Sequence, residues 1–199
     1  MKLVVGQLMS VNRPLIANKE VCDEKTLSRD ANGCSHLVSA SVTYAASMTV
    51  RIYAIDAKGV GGQIGTIQLS ETKAGLRISP RLAGLPPGQH GFHLHVNPSC
   101  DPGAGPNGQA AAGLAAGGHY DPANTGKHLG PHGEGHKGDL PVLIVDARGR
   151  ATKSVVAPRL TVADVKEHSI MIHAGGDNYS DQPEPLGGGG ARIACGIAS

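Results

Sequence analysis

Two histidines, His93 and His95, lie two residues apart in the segment Gly91-Phe92-His93-Leu94-His95-Val96. On a strand, alternate side chains share a face, so both imidazoles would project from one side and could chelate a single ion. A solvated strand face can carry the same pair, so the pair alone is weak evidence. A second group is more specific: His119, His128, His136 and Asp139 are interspersed with Gly126, Gly130, Gly133, Gly135 and Gly138. Glycines let the backbone fold these side chains inward, and three imidazoles with one carboxylate form the closed set a structural zinc takes. The competing reading is a solvated His- and Gly-rich loop. His173 ends a strand-like run that begins at His168, and their odd separation puts the two on opposite faces of a regular strand. The same parity separates His90 from His93 and His95. His90 and His168 are therefore read as structural or solvated, and His132 as an unassigned loop residue.

Such side chains need elements to hold them. Short alternating segments at 49–55, 63–69, 76–82, 91–96, 140–145, 152–157, 168–173 and 191–197 are separated by turn signals, and almost no helical period is present. The expected fold is all-β, an eight-stranded Greek-key β-barrel or sandwich of immunoglobulin-like type. Residues 162–167 could form a helical turn. Two gaps, 97–139 and 174–190, are long for a compact domain unless something ties them down. Most of the histidines lie in or beside them.

Composition agrees. Gly 29 and Pro 13 make 42 of 199 residues and aromatics only 3%, so the chain is loop-rich, while 40% hydrophobic content still supports a core. The 18 basic and 16 acidic residues are interspersed, giving +2 with no basic stripe for nucleic acid. No apolar run approaches the roughly 18 residues of a membrane span. Residues 1–47 differ in kind, holding Cys22 and Cys34 and no clear period. They are read as an N-terminal extension, disordered or a processed targeting segment, ahead of a domain at 48–199. Residues 3–11 resemble a short signal peptide that Asn12-Arg13-Pro14 interrupts, and Tyr44-Ala45-Ala46-Ser47 is a second candidate processing point.

From 48 onward the chain resembles a copper, zinc superoxide dismutase of the bacterial, periplasmic type. The motifs are Gly-Phe-His-Leu-His at 91–95, Gly-Gly-His-Tyr-Asp-Pro at 117–122, Gly-His-Lys-Gly-Asp-Leu-Pro at 135–141, His-Ala-Gly-Gly-Asp-Asn-Tyr-Ser-Asp at 173–181 and Gly-Gly-Gly-Gly-Ala-Arg-Ile-Ala-Cys-Gly at 187–196. The resemblance implies copper on His93, His95, His119 and His173, zinc on His119, His128, His136 and Asp139, and His119 as the bridge. It implies that Asp177 orients one ligand of each metal and that Arg192 guides the substrate anion beside copper. It pairs Cys100 with Cys195, closing a loop that the chain-entropy model values at roughly 4 to 5 kcal/mol; the cysteine count alone leaves three pairings open. Cys22 and Cys34 have no counterpart.

The activity so implied is dismutation of superoxide to dioxygen and hydrogen peroxide by one-electron cycling of copper, in a periplasmic or other extracytoplasmic monomer or homodimer. Lys127 and Lys137 are candidates to add to the attractive field. The competing class is a non-enzymatic metal binder, either a copper-delivery protein or a zinc-stabilised binding domain. Delivery proteins of that kind carry Cys-x-x-Cys, whereas Cys22 and Cys34 are twelve apart and all seven ligand positions are filled.

Overall fold

The computed structural model describes residues 46–199. The expectations for residues 1–45, including the signal peptide, Cys22 and Cys34, lie outside the described residues.

Strands β1 (Ser47–Asp56), β2 (Gly59–Thr72) and β3 (Gly75–Ala83) form an antiparallel meander. Short elements follow: β4 (Gly88–His90), β5 (Phe92–His95), the pair β6 (Gly103–Ala104) and β7 (Ala110–Ala111), β8 (Leu143–Val145), β9 (Arg150–Ala151) and β10 (Val155–Ala157). Helix α1 (Val162–Val165) and strands β11 (His168–His173) and β12 (Arg192–Ala198) complete the chain. Eight strands make one curled antiparallel sheet in the order β10-β3-β2-β1-β12-β11-β5, with β9 also on β3. β4 pairs with β8, and a tight turn at Asp146–Gly149 leads from β8 to β9. The expected β-barrel is thus observed.

The strands form where the sequence alternates. In β3, Leu76, Ile78 and Leu82 point inward and are buried, while Arg77 and Arg81 face solvent. Val50, Ile52, Ile67, Leu69, Leu143 and Val145 join them in one core. Each such side chain contributes roughly 1.5–3 kcal/mol when fully buried. The strand expected at 152–157 is shorter than expected: only Val155–Ala157 joins the sheet as β10, residues 152–154 leave it, and β9 lies just before the expected run. The helical turn is present but shorter than expected; Thr161 caps it, accepting from Asp164 N while Asp164 Oδ2 accepts from Thr161 N.

β5 and β11 are the exceptions to alternation, for they are buried on both faces. Phe92 and Leu94 lie opposite Ile172 and Ile170 and fill the core. His93 and His95 lie opposite Met171 and Ser169 on the other face, which the long loops cover. Met171 packs there with Ile55, Ala116, Cys100 and Cys195 in a second cluster. Cys100 and Cys195 are joined by a disulfide with Cα atoms 5.7 Å apart, 95 residues apart in sequence, which ties the first loop to β12.

Candidate metal centre

The loops cover the outer face of β5 by pairing with its backbone. Tyr120 N donates to Leu94 O at 2.8 Å, Leu94 N to Gly138 O at 2.9 Å, and Gly138 N to Tyr120 O at 2.8 Å. Single bridges therefore set His119 beside His95 and Asp139 beside His93. No side chain could replace Gly138 here, since a Cβ would lie 2.4 Å from Leu94 O.

Four ligand atoms, one each from His93, His95, His119 and His173, come within 4.8 Å of one another, all on buried residues. A second group meeting the same distance is His93, His119, His128 and Asp139. His119 belongs to both, and its ring stacks on His93 at 3.9 Å and lies 5.3 Å from His136. His136 stands just outside the second group, with Nδ1 3.4 Å from Asp139 Oδ1. His93 has only one uncommitted nitrogen and so can serve only one of the two groups.

Hydrogen bonds fix which nitrogen of each ring is free. His95 Nδ1 donates to Gly117 O at 2.9 Å and His173 Nδ1 to Gly190 O at 3.2 Å, leaving Nε2 of each as an acceptor. Asp177 accepts from His93 Nε2 at 2.8 Å through Oδ2 and from His128 Nε2 at 2.7 Å through Oδ1, leaving both Nδ1 atoms inward. His128 Nδ1 is 3.0 Å from Asp139 Oδ1, though out of line for a hydrogen bond. Five buried ring nitrogens, His93 Nδ1, His95 Nε2, His128 Nδ1, His136 Nδ1 and His173 Nε2, then have no hydrogen-bond partner. An unsatisfied buried polar atom costs about 1–3 kcal/mol. Five of them aimed into one cluster fit a metal-binding role: four imidazoles suit copper, and imidazoles with a carboxylate suit zinc.

Electrostatics agree. Burial, helped by the charges of its neighbours, holds His93 down at about 3 and His173 at about 4, and His95 and His119 are also lowered by burial. These rings are neutral near pH 7, the form that binds metal. His128 differs: burial pushes it down, but the nearby carboxylates of Asp139 and of Asp177, which accepts from its Nε2, prevail and raise it to about 9. Both carboxyls are held well below their usual range; burial opposes this, and the histidines overcome it.

Arg192 is half-buried on β12, donating to Gly113 O at 2.6 Å and Gly117 O at 2.8 Å. Its charge helps depress His95 and His173, so it is felt at the first group.

A family model for copper/zinc superoxide dismutase (SODC) matches residues 62–198. The chain belongs to the copper/zinc superoxide dismutase family. The protein named "Superoxide dismutase [Cu-Zn] 2" from Salmonella typhimurium is 56% identical over 162 residues, 81% of this chain and 93% of the relative. An Escherichia coli "Superoxide dismutase [Cu-Zn]" is 54% identical over the same shares. The structure of the Brucella abortus Cu/Zn superoxide dismutase matches with TM-score 0.75 at 53% identity, covering 77% of this chain and 100% of that one. The monomeric copper, zinc superoxide dismutase of Salmonella enterica, solved in solution, matches with TM-score 0.70 at 57% identity and the same coverage.

Within this superoxide dismutase domain the histidines singled out by sequence gather at the centre, apart from three. His132 is exposed. His168 turns outward, its Nδ1 2.6 Å from Val96 O and its ring 4.4 Å from that of Tyr120. His90 is buried behind the first group, with Nδ1 2.7 Å from His173 O and Nε2 2.8 Å from Pro86 O, a structural role. Lys127 is exposed, and Lys137 pairs with Asp164 at 2.6 Å, which offsets its charge. Sequence reasoning missed Asp181, which accepts from His128 N at 2.9 Å, and the carbonyls of Gly117 and Gly190. A contact across 53 residues leaves no local pattern, and a carbonyl leaves none at all.

Proposed function

We propose that residues 48–199 form the catalytic domain and dismute superoxide at this centre, two superoxide anions and two protons giving dioxygen and hydrogen peroxide. Copper is assigned to His93, His95, His119 and His173, and zinc to His119, His128, His136 and Asp139. The observation that carries this reading is the five orphaned ring nitrogens, three facing the first set and two the second. Bound copper would supply a one-electron couple, and zinc a fixed positive charge.

The chain's own residues do the rest. Asp177 bridges the two sets and keeps His93 and His128 in one tautomer each. His119 is shared by both sets, and burial keeps its ring neutral near pH 7, so one of its nitrogens can accept a proton and pass it to the departing peroxide. Arg192 spends two donors on Gly113 and Gly117, which hold the guanidinium still, and its remaining donors and charge attract and orient the anion. Arg192→Ile should lower activity and weaken its dependence on ionic strength at full copper content; unchanged kinetics would remove that role.

The Cys100–Cys195 disulfide suits a periplasmic or other extracytoplasmic compartment. For assembly the reading is monomer or homodimer, which sedimentation would separate. Metal analysis of purified protein, with a superoxide assay before and after chelation, tests the whole. One copper and one zinc per chain, with activity lost on chelation and restored by copper, are expected. One zinc, no copper and no activity after copper loading would favour a non-enzymatic binder.

A further inference from the structure

The stretch of the 97–139 loop that carries His136 has no apolar anchor of its own. From His132 to Gly138 it reads His-Gly-Glu-Gly-His-Lys-Gly, so nothing there can be fixed by hydrophobic burial. On its inner side the loop is closed by its own backbone. His136 N donates to Lys127 O at 2.8 Å, and Leu129 N and Gly130 N donate to Asp139 Oδ2 at 3.1 and 3.2 Å. Gly135 is pressed so closely that a Cβ would lie 2.3 Å from Lys127 O.

On the outer side three carbonyls converge on one side chain. Arg159 Nη2 donates to Gly135 O at 2.8 Å, and Nη1 contacts both Gly133 O and, at 3.4 Å, His136 O. Arg159 stands between β10 and α1, and its neighbours Ala157 and Leu160 are each 2% exposed within the barrel core. A residue between two such anchors has a fixed backbone. Its planar fork of five donors is always charged and spans several carbonyls in a fixed geometry, where a lysine offers three donors from a single rotatable point.

We infer that Arg159 is a positioning residue for the zinc site: it clamps the carbonyls of 133, 135 and 136 to the barrel and so holds His136 Nδ1 toward Asp139. This rests on the zinc reading proposed above. Lys137 makes the adjoining contact, to Asp164 on α1, but touches none of the three carbonyls.

The test uses the full chain freed of metal and then titrated with zinc against a competing chelator, with Co(II) in the zinc site as a spectroscopic probe. Arg159→Met should weaken zinc about 10–100-fold, the range for residues that orient ligands, and alter the Co(II) spectrum. Arg159→Lys should fall between it and wild type, and Lys137→Met should have the smallest effect. Copper affinity and the urea midpoint of the metal-free protein should change little in all three. Wild-type zinc affinity in Arg159→Met would overturn the clamp, as would an equal loss of copper affinity and metal-free stability, which would mark a general loss of structure. A zinc affinity that His136→Ala leaves unaltered would mean that the zinc assignment itself fails, and the clamp with it.

Discussion

β5 and β11 lie where two differently built regions meet. On the barrel side, Phe92, Leu94, Ile170 and Ile172 are no more than 1% exposed and pack in the apolar core. On the loop side, His93, His95 and His173 are almost as buried, yet directional contacts with carbonyls and Asp177 hold them. Apolar burial has no preferred direction, so many compositions of similar volume would fill the barrel. The loop side depends on which nitrogen points where, and the protein alone leaves five of those atoms unsatisfied. One region is complete in itself, and the other is shaped for ions.

The sharpest way to break this comparison is to damage each side separately. Phe92→Ala should destabilise the protein by about 3–5 kcal/mol, the range for truncating a buried aromatic. Protein that remains folded should still take up both metals, because no ligand contact is touched. Urea unfolding read alongside metal content checks both, and loss of copper from folded Phe92→Ala would mean that the two faces are not independent.

Asp177→Asn attacks the other side. The amide can accept from one histidine, but its NH2 cannot accept from the second, so either His93 or His128 loses its orienting partner. Metal affinity or activity should fall by about 10–100-fold, with the urea midpoint of the metal-loaded protein shifting less than in Phe92→Ala. Equal affinities for both metals in variant and wild type would deny Asp177 its role.

The same division decides what could be read from the sequence. β1, β2, β3, β11 and β12 are legible because apolar side chains alternate or run continuously in them. β4 is Gly-Gln-His, and β6 and β7 are two-residue strands of Gly and Ala, so none carries a periodic signal. Backbone pairing alone creates them. In the centre, the ligand types and the His-x-His spacing were legible, and Asp177 through its motif. Arg159, Asp181 and the two tautomer-setting carbonyls were not, because each acts through backbone groups of a distant segment. Parity separated His168 from His173 correctly, although the strand is not regular there: its register on β12 shifts between Ile172 and His173.

The smallest effect distinguishes the two regions by proton linkage. In the metal-free protein His93 and His173 titrate at about 3 and about 4, against 6.5 for the unfolded chain. The folded state then binds fewer protons than the unfolded one, so their contribution is present above pH 6.5 and is lost as pH falls. The loss runs downward from pH 6.5 and levels off only through about 4 and 3, at up to on the order of 1 kcal/mol per pH unit for each ring. His128, raised to about 9, has the opposite sign: its contribution is complete below pH 6.5 and is lost as pH rises through 9. Stability of the chelated protein should therefore peak near pH 6.5 and fall on both sides, more steeply toward acid, where several rings act together. Loading zinc near pH 7 should release a proton from His128, since a bound nitrogen cannot keep one. Urea unfolding of chelated and metal-loaded protein between pH 5 and 9 checks this: the loaded protein should lose the alkaline fall, because a bound His128 holds no proton to give up, and should fall at least as steeply toward acid, because bound nitrogens exclude protons that the unfolded chain takes up. Phe92, Leu94, Ile170 and Ile172 cannot produce that contrast, as none of them titrates, so identical curves would mean that the cluster does not contribute to stability through its protons.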